Sequence, residues 1–344
     1  MHQYLMPLIL DNPSPIFSAI LQKSVSPPSA VDDQNEISSL IGPLQLNPKP
    51  QIPPTGLVGQ VARVYDLLEG TEVDEPDQGM DQELEASVDP KNERKWMGGN
   101  HGATSQGFRH MYFGGWRIKR PLGSLQIPFH AIGQAPIRID LLSLAARQRV
   151  QAGNRTWGTR LISWALHYVQ DLTQPFHTTQ IPSLPMVPWA SLFQWPPQAG
   201  FQNLVQRTTQ SLTNFHWAYE GYTLNRLQVG EGGPFAECLR HPETISTLKL
   251  DPQTQSPRDM TLAVIASSEK HAPEMGAAVI ALFGTSLKNP EINLTQTPDL
   301  INYTEIANNP ALENPRKRLE KVTCEALADA SLASRFLITW AFQP

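Results

Sequence analysis

Apolar residues recur at helical spacing along several long stretches of the chain, separated by segments dense in proline, glycine or acid. Leu57, Val61, Val64 and Leu67 or Leu68 fall three or four residues apart, which predicts a short helix over about 56–69. Residues 139–151 and 156–171 predict two helices joined by a short Ala-Gly-Asn turn. In the second, Trp157, Leu161, Trp164, Ala165 and Tyr168 form one apolar stripe, and Pro175 ends the pattern. Long helical patterns follow over 201–223, 257–286 and 314–342. A short helix over 15–23 interrupts a Pro-rich stretch at 12–56 that otherwise reads as extended or looped. Residues 70–101 read as an acidic surface loop, and 110–127 carry aromatics and turn residues without a clear period. Helix dominates, so the expected class is all-α. The expected organisation is one domain over 1–344, with 1–56 as its Pro-rich N-terminal region and 230–344 as a helical extension that completes the core.

Composition narrows the possibilities. With 8 Trp, 12 Phe, 7 Tyr and a net charge of only -5, the 344 residues can bury a sizeable core and are not a disordered chain. Charged residues make up 17%, below the usual quarter or so, and Pro is abundant at 31. Two cysteines, Cys238 and Cys324, allow one bridge at most, which excludes both a disulfide scaffold and a four-thiolate zinc site. A sequence pI near 6.0 gives no basis for stable electrostatic binding of nucleic acid. No run approaches the ~18 apolar residues of a spanning helix. The apolar start MHQYLMPLIL has neither a basic lead nor a small-residue cleavage site, so the expectation is a cytoplasmic protein or an export signal outside these residues. Any metal site must be built from the nine histidines and the carboxylates.

One stretch concentrates such residues. His167 and Asp171 stand four apart, so a helix places both on one face, a turn apart. Pro175 breaks that helix and lets the chain fold back, which can bring His177 toward the same point. His216 and Glu220 repeat the spacing on another predicted helix. Imidazoles and carboxylates are zinc ligands, and carboxylates can also bridge two ions. A hydrogen-bonded core histidine and a helix-capping aspartate would explain His167 or Asp171 singly, but not the convergence of two histidines and an acid. His130, His241 and His271 read as surface or cap histidines. There is no glycine-rich phosphate loop and no nucleophile elbow.

The stretch WALHYVQDLTQPFHTT resembles the central motif of the bacterial zinc-dependent phospholipases C, a family related to the fungal single-strand nucleases. The matching positions are His167, Asp171, Pro175 and His177, followed by His216 and Glu220 in NFHWAYEGY. RHMYFGGW matches a further element and makes His110 a candidate ligand. The acidic loop EGTEVDEPDQGMD offers Asp74 as the first choice, with Asp77 and Asp81 as rivals. The resemblance, over roughly residues 60–225, implies a multihelical all-α fold holding two or three Zn²⁺ ions. It implies Asp74, His110, His167 and Asp171 around one ion, and His177, His216 and Glu220 around another. Asp171 would bridge to a third ion, whose histidine would be His2, the one histidine before His101. The family's terminal Trp has no counterpart before His2, which leaves a preceding segment, a two-zinc site or a differently built third site. An accidental histidine at the chain start is an equal alternative for His2.

The resemblance further implies an exported enzyme that hydrolyses a phosphoric ester, phospholipase C-like, at a phospholipid phosphodiester, with metal-activated water as nucleophile. Asp74, if not a ligand, is the candidate to take the water's proton. A single-strand nuclease or nucleotidase with the same metals, and a non-catalytic protein with a partial metal site, are the alternatives. The 38 residues between His177 and His216 exceed the family's usual connection and contain Trp189, Phe193 and Trp195. Packing onto the body is the first expectation for these aromatics, ahead of transient membrane-surface contact or base stacking.

Overall fold

The computed structural model describes residues 2–10, 110–114, 116–120, 123–127, 133, 135–193, 195–230, 232–289 and 291–343. In chain order the elements are α1 (His2–Leu10), β1 (Trp116–Arg120), β2 (Gly123–Ile127), α2 (Ala135–Gln151), α3 (Arg155–Thr173) and the one-turn α4 (Pro175–Thr178). They continue with α5 (Pro197–Leu227), α6 (Ala236–Arg240), α7 (Pro257–Phe283), α8 (Tyr303–Asn308) and α9 (Glu313–Phe342). The fold is helical, as the periodicity predicts, with one antiparallel hairpin that sets Trp116 opposite Ile127 and Ile118 opposite Leu125. The helices predicted at 15–23 and 56–69, and the acidic loop with Asp74, Asp77 and Asp81, lie outside the described residues.

Local chemistry explains the helix ends. Helix α5 begins at Pro197, four residues before its apolar period becomes visible, because a proline at the first turn gives up only an N–H that has no intrahelical partner there. Helix α7 starts on a capping box: the Ser256 side chain accepts from the Asp259 N–H, and the Asp259 carboxylate accepts from the Ser256 N–H. It stops at Phe283, before Gly284 with its φ of 76°.

Helix α3 lies at the centre, packed against α2, α7 and α9. Its buried Leu161, Ala165, Leu166 and Val169 share one core with Met6 and Ile9 of α1, Leu142 of α2, Val264 of α7 and Leu337 of α9. A second core joins Phe176 of α4 and Phe215, Tyr219 and Tyr222 of α5 to Met275 and Val279 of α7 and Leu319 and Val322 of α9. Both α7 and α9 therefore serve two cores, so the stretch beyond residue 230 is woven into the body. A disulfide between Cys238 of α6 and Cys324 of α9, with Cα atoms 5.5 Å apart, ties these helices together. Among the described residues, no helix is long and apolar enough to cross a membrane.

The connection from α4 to α5 contains two short 3₁₀ turns, Leu184–Met186 and Trp189–Phe193. It runs directly against α7 at Gly276, where a Cβ would come within 2.7 Å of the Ser183 Cβ. Met186 and Val187 pack inward, but Phe193 and Trp195 stand exposed and Trp189 is about half exposed. The expectation that the aromatics of this loop pack onto the body is therefore corrected: Met186 and Val187 do, while Leu184, Leu192 and the rings stay at the surface.

Candidate metal centre

Two groups of side chains meet where α3, α4 and α5 approach one another. The first is built on Asp171, in the last turn of α3 and almost wholly buried. Its Oδ2 lies 2.6 Å from His110 Nδ1 and 3.4 Å from His167 Nε2, one turn earlier on the same helix. The two imidazole nitrogens are themselves 3.0 Å apart. The other carboxylate oxygen, Oδ1, lies 3.2 Å from Nε2 of His2, at the start of α1. The rings of His2 and His167 pack with centroids 4.0 Å apart.

Gln170 fixes the orientation of His2. Its amide NH₂ donates to Ser334 Oγ at 3.1 Å and approaches Met6 Sδ at 3.3 Å, which turns its carbonyl oxygen toward His2. That oxygen only accepts, so His2 Nδ1, 3.0 Å away, donates to it, and its Nε2 faces Asp171 Oδ1.

The second group comprises His177, His216 and Glu220. Nε2 of His177 and Nε2 of His216 are 3.0 Å apart, and Glu220 Oε1 is 3.6 Å from the first and 3.0 Å from the second. Pro175 opens α4 immediately after α3, and the backbone hydrogen bonds from Gln174 N to Asp171 O and from His177 N to Gln174 O close the turn that swings His177 back. His177 Nδ1 donates to the His110 carbonyl at 3.0 Å, while Tyr112 N donates to the His177 carbonyl at 2.8 Å. This reciprocal pair sets the His177 tautomer, leaves Nε2 for the cluster, and stitches the segment carrying His110 to α4. Gln174 Nε2 donates to Glu220 Oε1 at 2.9 Å.

The carboxylates are held in the form that binds cations. Burial alone would raise the Asp171 carboxyl, but attraction to His177, His167 and His2, with the His110 hydrogen bond, holds it well below the usual carboxylate range. Burial likewise opposes ionisation of Glu220, yet attraction to His216 and hydrogen bonds from His177 and His216 keep it well below its usual range. Burial, and then the neighbouring His2, push His167 down, outweighing its attraction to Asp171. For His177, burial is outweighed by the charge of Asp171 and the contacts with Glu220, and the net shift is upward.

These arrangements fit a divalent ion chemically. Ligands at about 2.0–2.2 Å on a tetrahedral zinc are spaced about 3.3–3.6 Å apart. In the second group the 3.6 Å separation matches and the two of 3.0 Å are a few tenths of an ångström short. In the first group the 3.4 Å separation matches and the 3.0 Å one is slightly short, while the 2.6 Å contact is the length of a charge-assisted hydrogen bond. His2, His167 and Asp171 on one side, and His177, His216 and Glu220 on the other, each present three ligand atoms within 4.8 Å of one another. Nitrogen-rich sets of this kind suit zinc better than magnesium or calcium.

Of the expected ligands, His2, His110, His167 and Asp171 therefore meet around one carboxylate, and His177, His216 and Glu220 meet beside it. Asp74 lies outside the described residues, as do His101 and His130. His241 is half exposed, near Glu237 and Glu243. His271 departs from the surface-or-cap expectation: it is largely buried, with Nδ1 3.4 Å from Glu325 and Nε2 3.6 Å from Asp329. Gln170 escaped the sequence reading, since a glutamine between Val169 and Asp171 on a helix carries no spacing signature. No protein-family model matches the chain, and no curated protein or solved structure matches it either.

Proposed function

We propose that the chain is a zinc-dependent phosphoric ester hydrolase with a phospholipase C-like fold, acting on the phosphodiester of a phospholipid. The observation that carries this is the division of the Asp171 carboxylate, one oxygen toward His110 and His167 and the other toward His2, beside the separate group His177, His216 and Glu220. A carboxylate shared in this way is suited to bridging two ions, and the nearby group to holding another. When bound, closely spaced zinc ions supply Lewis acidity toward a phosphoryl oxygen and lower the pKa of water toward neutrality. Gln170 and Gln174 orient His2 and Glu220, and the His110 carbonyl orients His177. The resemblance assigns Asp74 as a further ligand or as the group that takes the water's proton. The Cys238–Cys324 disulfide supports an exported protein, because such bonds persist in oxidising compartments.

The test joins metal analysis to activity. Protein purified without chelator should contain two or three equivalents of zinc and hydrolyse a chromogenic phosphodiester. Chelator should abolish that hydrolysis and added zinc restore it. Absence of zinc would sink the proposal, zinc without hydrolysis would favour a non-catalytic metal protein, and products from single-stranded nucleic acid alone would favour the nuclease. Removing the Gln170 amide tests the orienting role: Gln170→Ala should weaken the affinity of one zinc equivalent by about 10–100-fold, read by competition with a chromophoric chelator.

A further inference from the structure

From Thr178 to Gln206, between His177 and Arg207, the chain carries no Asp, Glu, Lys, Arg or His. This uncharged stretch also holds seven of the fourteen exposed large hydrophobic residues among those described: Leu184, Trp189, Leu192, Phe193, Trp195, Phe201 and Val205. Phe193 and Trp195, just before α5, are 90% and 88% exposed.

The backbone beneath is held in place. Ser211 Oγ donates to the Met186 carbonyl at 2.9 Å, Lys288 Nζ donates to the Pro185 carbonyl at 3.1 Å, and Trp189 Nε1 donates to the Leu184 carbonyl at 3.2 Å. Met186, Val187 and Ser191 are buried, so the loop has an inner and an outer side, and its largest rings occupy the outer one. An anchored loop cannot hide them by collapsing onto the body. A concentrated apolar surface of this kind marks a binding surface.

Its charge indicates the partner. A surface that binds nucleic acid or an anionic membrane by electrostatics needs Lys or Arg to displace counterions. The stretch itself has none, the Lys288 ammonium beside it is bonded to the Pro185 carbonyl, and there is no acid on it to meet a basic partner. Trp and Phe accompanied by Gln, Asn and Ser match the boundary between hydrocarbon and neutral headgroups, where amphipathic rings are favoured. We propose that the connection between α4 and α5 docks the protein on the surface of a zwitterionic phospholipid bilayer, with Phe193 and Trp195 inserted among the lipids. The choice of lipid over a protein partner rests on the phosphodiesterase reading; the surface itself does not.

The experiment compares the full-length chain with Phe193→Ser/Trp195→Ser, whose side chains stand too far out to be needed for folding. Co-sedimentation with phosphatidylcholine vesicles, intrinsic Trp fluorescence, light-scattering mass and hydrolysis of a water-soluble phosphodiester are measured on both. The unaltered protein should bind neutral vesicles with little dependence on salt and with a blue shift of its fluorescence. The double variant should bind about tenfold or more weakly while hydrolysing the soluble ester at the same rate. No vesicle binding, binding unaffected by the substitutions, binding abolished by salt, or a variant that only dissociates a dimer would each overturn the docking proposal. Vesicle binding without hydrolysis of the soluble ester would leave the docking proposal standing and remove the hydrolase reading. The reverse result would do the opposite.

Discussion

Asp171→Asn should lower hydrolytic activity by more than about a hundredfold and remove at least one zinc equivalent. The two oxygens of the Asp171 carboxylate face different histidines, 2.6 Å from His110 on one side and 3.2 Å from His2 on the other. An amide of the same shape has one such oxygen and presents an NH₂ to the second set, so it can serve one side at best and carries no charge. Losing a partner that merely orients a ligand costs about 10–100-fold, and a shared ligand should cost more. Thermal unfolding with and without zinc separates the effect from misfolding. A ligand that binds only the folded state raises the melting temperature, so the unaltered protein should gain stability from zinc and the variant should gain much less. A variant with an unchanged zinc-induced shift and full activity would show that Asp171 is only a hydrogen-bonded core residue.

The second large effect concerns stability. Cys238 and Cys324 are separated by 86 residues, and a cross-link closing a loop of that length stabilises by about 4.6 kcal/mol on a chain-entropy basis. That is a substantial part of the roughly 5–15 kcal/mol available to a folded protein. Cys238→Ala/Cys324→Ala, or treatment with a reductant, should shift the urea midpoint downward to match. Both cysteines are packed among the helices they join, Cys238 being buried and Cys324 lying against the first core. Ala in place of Ser therefore avoids adding unpaired hydroxyls to the apparent cost. Midpoints that coincide with and without reductant would mean that the bridge contributes little and gives no support to export.

The parts of the fold legible in the sequence were those whose information is local. The stripe Leu161, Trp164, Ala165, Tyr168 announced α3, and the long patterns near the C-terminus announced α7 and α9 within a few residues of their ends. The start of α5 was hidden because Pro196 and Pro197 look like loop residues, although a proline suits the first turn. The hairpin was missed because its strands are five residues each, too short for a helical window, and alternation in WRIKR is easily mistaken for noise. The site divides in the same way. His167 with Asp171, and His216 with Glu220, are pairs on single helices and are visible from spacing alone. His110, His2 and Gln170 reach the centre only through tertiary packing, so the first two were suggested by resemblance and the third by nothing. Nor could the sequence separate Met186 from Phe193 in a loop without a period, since inward and outward positions there are set by anchors such as Ser211.

The route by which His2 is held has a consequence for the timing of assembly. His2 is oriented by Gln170, Gln170 is held by Ser334, and the neighbouring Arg335 donates to the carbonyl of Ile9 at the other end of α1. The placement of His2 thus depends on residues more than three hundred positions later. Contacts so remote in sequence form slowly, because most of the chain must be ordered before they are made. On the ribosome, α3 and α5 emerge well before α9, and during that interval the nascent chain holds most of the histidines without the strut that completes their arrangement. Of the described helices, α9 is the latest to emerge, and it finishes the centre.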